Sequence, residues 1–128
     1  MAQYDLVVFG ATGFVGKLLC QYLQTHTEAH ESLRWAIAGR SLAKLNAVAA
    51  NLGAAVELPK IVADATDERS LRALCEQTSV VISTVGPYAL YGETLVRVSA
   101  ETGTDYCDLT GESPWIRRMI ARYDAVAQ

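Results

Sequence analysis

The sequence predicts an α/β fold, in which a parallel five-stranded sheet is covered by helices on both faces as a single three-layer αβα domain. Apolar runs typical of buried strands alternate five times with segments of helical periodicity. No linker or low-complexity stretch interrupts the 128 residues, a length that suits one domain with a real core. Strand–helix alternation implies right-handed crossovers, so the expected strand order is 3-2-1-4-5, a Rossmann-like, doubly wound sheet.

The first half of the chain contains two strands, each followed by a helix. The apolar run 4–9 predicts strand one, and strand two is expected over 33–38. The first helix begins near Gly13, and the second has Ser41 as N-cap and Gly53 as its C′ residue. Apolar residues at helical spacing predict the buried face of the first helix: Val15, Leu18, Leu19, Tyr22 and Leu23.

The second half repeats the alternation three times. Strands are expected over 60–63, 80–85 and 104–109. Thr66 or Asp67 caps the third helix, Gly103 ends the fourth, and Ser113 caps the fifth with Pro114 at its first position. The five apolar positions of this last helix are Trp115, Ile116, Met119, Ile120 and Tyr123.

A glycine-rich turn between strand one and helix one is the strongest functional signal. The pattern G-x-x-G-x-x-G over 10–16 predicts that a dinucleotide pyrophosphate binds at the helix N-terminus, where free amides and the helix dipole favour an anion. Gly10 permits the tight turn, Gly13 lets phosphates approach the backbone, and Gly16 lets the helix pack on the strand. The alternative is a glycine turn without a ligand. The predicted contacts here are Gly10, Ala11, Thr12, Gly13, Phe14, Val15 and Gly16.

The end of strand two indicates which dinucleotide binds. NAD-binding domains place a carboxylate there, roughly 20 residues past the glycines, to accept the ribose hydroxyls. This chain has Arg40 and Ser41 instead, with Lys44 one helical turn on. An arginine fork suits a 2′-phosphate, so NADP is predicted over NAD. The alternative is that Arg40 is a solvated surface charge.

Two further strand ends are expected to contact the cofactor. Asp64 follows strand three, where its carboxylate either accepts from the adenine amine or caps the next helix. The turn after strand four should approach the nicotinamide, and it consists of Val85, Gly86, Pro87 and Tyr88. Tyr88 and Tyr91 either line a substrate mouth or are ordinary half-buried aromatics.

The catalytic residues are not assigned by the sequence. Tyr106, Asp108 and Glu112 are candidates for acid, base or orienting groups, and the two carboxylates equally suit a loop and a helix start. The Tyr-x-x-x-Lys pair of short-chain dehydrogenases is absent from the sequence. A Ser/His/Asp hydrolase is not supported either, because the only two histidines, His26 and His30, lie in one loop.

Composition excludes several other classes. A net charge of −3 and the lack of a basic run argue against nucleic acid, and no apolar stretch has the roughly 20 residues that span a bilayer. Cys20, Cys75 and Cys107 are predicted to be reduced core residues of a cytoplasmic protein. No metal site is expected, with the spacing of the two histidines as the only weak alternative.

Six segments of the chain carry a family resemblance: residues 4–17, 38–41, 85–88, 91–93, 105–112 and 122–124. The most specific of them contain the Gly-Pro-Tyr and Asp-Leu-Thr-Gly-Glu motifs. These segments, and with them essentially the whole chain, resemble the saccharopine dehydrogenase-like oxidoreductases, which include the trans-acting enoyl reductases. The resemblance implies an NAD(P)-binding fold, oxidoreductase chemistry, and cofactor contacts from Gly10, Gly13, Gly16, Arg40 and the turn 86–88.

The resemblance further implies a larger protein. Family members continue into a second domain that closes over the nicotinamide, so residues 1–128 are expected to be the NAD(P)-binding domain, incomplete for catalysis on a small or lipid-like substrate. A different hypothesis is a non-catalytic module that senses NADP(H). Apolar surface beside strand five predicts association into a homodimer.

Overall fold

The described residues, 2–27, 33–53 and 58–128 of a computed structural model, form the predicted three-layer fold. One parallel sheet has the order β3-β2-β1-β4-β5, which confirms the predicted topology. The elements in chain order are β1 (Tyr4–Phe9), α1 (Phe14–Thr27), β2 (Trp35–Gly39), α2 (Leu42–Asn51), β3 (Lys60–Val62), α3 (Glu68–Cys75), β4 (Thr78–Ser83), α4 (Tyr88–Tyr91), α5 (Glu93–Thr102), β5 (Asp105–Asp108) and α6 (Ser113–Ala127).

The central strand β1 supplies both halves of the core. Successive side chains of a strand point to opposite faces, so Val7 packs in one apolar cluster with Leu71 and Leu95 of α3 and α5. Val8 packs in a second cluster, with Cys20 of α1 and Leu45 of α2. Helices α1 and α2 therefore cover one face, and α3 and α5 cover the other.

Several predicted boundaries move by one or two residues. Strand β2 begins at Trp35 and β4 spans Thr78–Ser83, so Thr84 and Val85 lie beyond the strand, in the turn. The N-cap of α6 is Glu112 and not Ser113, which is the first helical residue. The short helix α4 was not predicted. The predicted capping of α2 and α3 is confirmed, with Ser41 and Asp67 accepting from backbone amides, and Gly53 has the positive φ of a C′ residue.

The predicted buried face of α1 is partly wrong. Val15, Leu18 and Tyr22 are 40%, 50% and 58% exposed. Gly16 and Cys20 are the residues that α1 buries instead. Gly16, which has no side chain, lets the backbone of α1 approach the backbone of the turn at Gly10 and Ala11 closely.

The prediction that all three cysteines lie in the core also fails for one. Cys20 and Cys75 are buried, but Cys107 is exposed because β5 is the edge strand and alternate residues face outwards. Of the two histidines, His26 lies in the last turn of α1 and stacks on Tyr22. His30 lies outside the described residues, as does the segment 54–57. None of the described helices is long and apolar enough to cross a membrane.

Candidate cofactor-binding site

A cavity of about 350 Å³ opens at the carboxyl ends of the four strands β1 to β4. This is the crevice where an open parallel sheet binds its ligand. Seven predicted site residues line it: Gly10, Thr12, Gly13, Arg40, Asp64, Val85 and Gly86. The other lining residues are Tyr91, one of the two tyrosines considered for a substrate mouth, and five that sequence reasoning missed: Phe9, Gly39, Ala65, Thr66 and Thr84.

The three glycines of the turn have different steric surroundings. Gly10 has φ +89°, and a Cβ there would lie 2.6 Å from the Thr84 hydroxyl. A Cβ on Gly16 would lie 2.1 Å from the Gly10 carbonyl oxygen, so α1 packs directly on the turn. Of the atoms in the described residues, a Cβ on Gly13 would meet only that same oxygen within 4 Å, at 3.5 Å. Gly10 and Gly16 are therefore required by the fold, whereas the space beside Gly13 is open towards the cavity.

Thr84 fixes the turn against the end of β4. Its hydroxyl donates to the carbonyl oxygens of Phe9 and Gly10, at 3.0 and 3.1 Å, and its amide donates to Phe9 at 2.9 Å. The hydroxyl and the amide of Thr84 thus bind the end of β1 and the first glycine of the turn to the end of β4. A sequence signal existed in the Ser83-Thr84 pair at the strand end, but the prediction extended the strand through it.

Arg40 is exposed and lines the cavity directly after β2. Within the described part of the chain, its guanidinium makes no hydrogen bond or ion pair with protein. Ser41 uses its hydroxyl to accept from the Lys44 amide at 3.3 Å, the N-cap bond of α2. Neither Ser41 nor Lys44 is among the residues that line the cavity.

The carboxylate of Asp64 is held by Thr66. One oxygen accepts from the Thr66 amide and hydroxyl, both at 2.8 Å. These hydrogen bonds, together with the nearby Arg40 charge, lower the pKa of Asp64. Since Asp67 caps α3, the alternative that Asp64 caps this helix is wrong. Asp64 is instead a fixed negative charge at the cavity wall.

The turn after β4 is split between the cavity and the core. Val85, Gly86 and Tyr91 line the cavity, and Pro87 forms the N-cap of α4 after a cis Gly86–Pro87 bond. Tyr88 is only 6% exposed, and its hydroxyl donates to the Ser83 carbonyl at 3.0 Å. Tyr88 therefore stabilises the turn from its buried side, away from the cavity.

The three candidate catalytic residues lie outside this cavity: Tyr106 and Asp108 belong to β5, and Glu112 lies in the turn from β5 to α6. Tyr106 donates to the Asp108 carboxylate at 2.5 Å, and burial, with Asp108 beside it, raises the pKa of this phenol above its ordinary value. Asp108 also accepts from the Thr110 amide at 3.0 Å. Glu112 accepts from two amides of α4. All three side chains thus make hydrogen bonds that stabilise the fold around the end of β5 and the start of α4.

A larger, apolar groove of about 490 Å³ runs along β5 between α5 and α6. Trp115 lies in its wall, and its buried indole nitrogen has no partner among the described residues. No residue of the glycine turn lines this groove.

Comparison with known proteins identifies the cofactor. A family model described as saccharopine dehydrogenase NADP binding domain matches residues 6–128. The chain belongs to this family. It is an NADP-binding domain of the saccharopine dehydrogenase-like oxidoreductases, with a Rossmann-like fold, as the sequence predicted.

Relatives and a solved structure agree with this assignment. A "Lipid droplet localized protein" of Caenorhabditis elegans is 42% identical over 133 residues, which cover 100% of this chain and 31% of that protein. A trans-acting enoyl reductase of Mycobacterium leprae is 46% identical over 119 residues, which cover 92% of this chain and 28% of that protein. The structure of apo saccharopine dehydrogenase (L-Glu forming) from Saccharomyces cerevisiae superposes with a TM-score of 0.71 at 25% identity. The superposition covers 91% of this chain and 24% of that protein. The chain thus spans less than a third of each of these three proteins.

The residues present fit NADP. The space beside Gly13 is open to a phosphate, and the Arg40 cation has no protein partner in the part of the chain that the structure describes. The crevice combines a backbone cradle for one anion with a cation for another. A 2′-phosphorylated dinucleotide carries anions of both kinds.

Proposed function

We propose that the cavity at the glycine turn holds NADP(H), and that the chain serves as the cofactor-binding part of a larger oxidoreductase. One observation carries this proposal: Arg40 and the open glycine turn line the same cavity. The bound nicotinamide supplies or accepts a hydride. The chain's own residues bind and orient the cofactor.

The roles of the residues follow their places around the crevice. The turn 10–16 would hold the pyrophosphate, and Arg40, flanked by Ser41 and Lys44, would bind the 2′-phosphate. Asp64 would accept from the adenine amine, and the turn from Val85 to Tyr88 would approach the nicotinamide. These contacts match those expected at a parallel-sheet switch point.

A pair of glycine variants tests the site. Gly13→Ala adds a methyl group in open space, so the chain should fold normally, yet the phosphate should lose its close approach to the backbone. Calorimetric titration should then show NADPH binding to the original chain, tighter than NADH, and a loss of at least tenfold in the variant. Gly111→Ala is the control, because its Cβ meets nothing within 4 Å and the residue lies outside the cavity. Equal NADPH affinity in both variants would contradict the site.

We also propose that the chain alone binds NADPH without turning it over. Among the residues lining the cavity, only Arg40, Asp64 and Tyr91 are titratable, and Asp64 is held by Thr66. Any further acid or base needed for catalysis would then be supplied by residues that do not line this cavity. The substrate, small or lipid-like, would likewise be bound by residues other than these. Rapid NADPH oxidation by the 128-residue chain with an enoyl or imine substrate would refute this.

Association and location stay predictions. Leu109, Ile120 and Val126 expose 56%, 61% and 50% of their surface, which supports a homodimer. Sedimentation of the original chain and of Ile120→Glu would test it, since the variant should be monomeric.

All three cysteines are free, which supports the predicted cytoplasmic location.

A further inference from the structure

The two turns that end β4 and β5 are joined by one carboxylate. Glu112 accepts from the Tyr88 amide through Oε2 at 2.7 Å and from the Ala89 amide through Oε1 at 3.1 Å. Both bonds reach back more than twenty residues along the chain. Glu112 thereby occupies the position that a capping side chain would take at the start of α4.

Helix α4 has no other side-chain cap in the part of the chain that the structure describes. Its N-cap residue is Pro87, which makes no side-chain cap bond. The first amides of a helix lack partners inside the helix, and a negative charge beside them is favoured by the helix dipole. Hydrogen bonds to a charged acceptor are also stronger than neutral ones. Glu112 therefore supplies the side-chain cap of this four-residue helix.

Glu112 is itself held in place by its own turn. Its amide donates to the Thr110 hydroxyl at 3.0 Å, and the Thr110 amide donates to Asp108 at 3.0 Å. Asp108 in turn accepts from the Tyr106 hydroxyl. This series of contacts ties the carboxylate to the end of β5, so it is a rigid support for α4.

The helix it supports forms part of the cofactor cavity. Gly86 lies just before α4 and Tyr91 is its last residue, and both line the cavity. Glu112 does not line it. A shift of α4 would therefore displace one cavity wall without altering the glycine turn or Arg40.

We propose that Glu112 is a positioning residue, which fixes residues 86–91 as the wall against the nicotinamide half of the cofactor by capping α4 from the next turn. This inference rests on the proposed function, because it assigns the nicotinamide to that wall. The adenosine half lies against the other strand ends and does not depend on Glu112.

Two ligands separate the two halves. NADPH carries both, whereas adenosine 2′,5′-bisphosphate carries only the half that Arg40 and Asp64 would contact. We expect Glu112→Ala to weaken NADPH by about tenfold, comparable with one charge-assisted hydrogen bond, and to leave the bisphosphate within twofold. Glu112→Gln retains one acceptor oxygen and should recover part of the NADPH affinity. The control is Glu101→Ala, which removes a carboxylate that, among the described residues, bonds only Arg72 and Arg97.

The possible outcomes are distinct. Selective loss of NADPH affinity in Glu112→Ala, with partial rescue by Glu112→Gln and no change in Glu101→Ala, supports the positioning role. If the original chain binds NADPH and Glu112→Ala binds it equally well, or loses both ligands equally, the positioning role is wrong and the proposed function stands. If the original chain binds neither ligand, the proposed function fails and the positioning role fails with it.

Discussion

Arg40 and Asp64 line the same cavity from the ends of adjacent strands, yet the Asp64 carboxylate is bound by Thr66 and not by the arginine. Both Thr66 donors lie 2.8 Å from one Asp64 oxygen. The two opposite charges therefore coexist in the cavity without forming an ion pair. As a result the guanidinium is left for an anionic ligand, and the carboxylate is left with its second oxygen for a donor.

The first prediction concerns the choice between NADP and NAD. Arg40→Ala removes the cation assigned to the 2′-phosphate, so the affinity for NADPH should fall by about 1.5–3 kcal/mol while that for NADH stays the same. Calorimetric titration with both cofactors measures the difference. Arg69→Ala is the matched control, since Arg69 is also exposed but lies outside the cavity. An equal loss of affinity for NADPH and NADH would mean that Arg40 does not bind the 2′-phosphate.

The second prediction concerns the packing of α1 on the glycine turn. Gly16→Ala places a Cβ 2.1 Å from the Gly10 carbonyl oxygen and 2.8 Å from the Ala11 Cα, so the helix must move away from the turn. Alanine gains about 1 kcal/mol of helix propensity, but a backbone overlap this severe outweighs it. We expect a net loss of about 1–3 kcal/mol of unfolding free energy, measured by urea denaturation. Unchanged stability would show that the helix adjusts freely.

Sequence periodicity and turn chemistry were enough to predict the order of the sheet and the position of the glycine turn. Both depend on local patterns: apolar runs for strands, and a glycine where φ is positive, as at Gly10. The exposure of Cys107 was not predictable in the same way, because an apolar pattern does not say which strand lies at the edge. The cap of α4 was missed for a related reason, since Tyr88 and Glu112 meet only through the tertiary fold.

The third prediction concerns acid stability. Glu68 and Glu101 alternate with Arg72 and Arg97 between α3 and α5. Hydrogen bonds from Arg97 and Arg72 hold the pKa of Glu68 below its ordinary value of 4.5. Between that value and the folded-state pKa the unfolded chain binds more protons, so the free energy of unfolding falls as the pH falls through this window.

Glu68→Gln tests this dependence. The variant should be slightly less stable than the original chain at pH 7, and the difference should shrink as the pH falls below 4.5. Urea denaturation at pH 7, 4.5 and 3 measures it. Glu76→Gln removes a carboxylate that makes no ion pair within the described residues and serves as the control. A stability difference that is the same at all three pH values would contradict the assignment.

The fourth prediction uses the three cysteines as reporters of the fold. Cys107 is exposed, whereas Cys20 and Cys75 are 0% and 1% exposed. A thiol reagent should therefore modify one cysteine in the native chain, and Cys107→Ser should abolish that reaction. Partial burial and the neighbouring Asp108 raise the pKa of Cys107, so the reactive thiolate is scarce at neutral pH and the rate should rise between pH 7 and 9. Cys20, whose pKa burial raises to about 11, should react only when the chain unfolds. Modification of Cys20 or Cys75 at the rate of Cys107 would contradict their burial, and a Cys107 that reacts only on unfolding would contradict its exposure on β5.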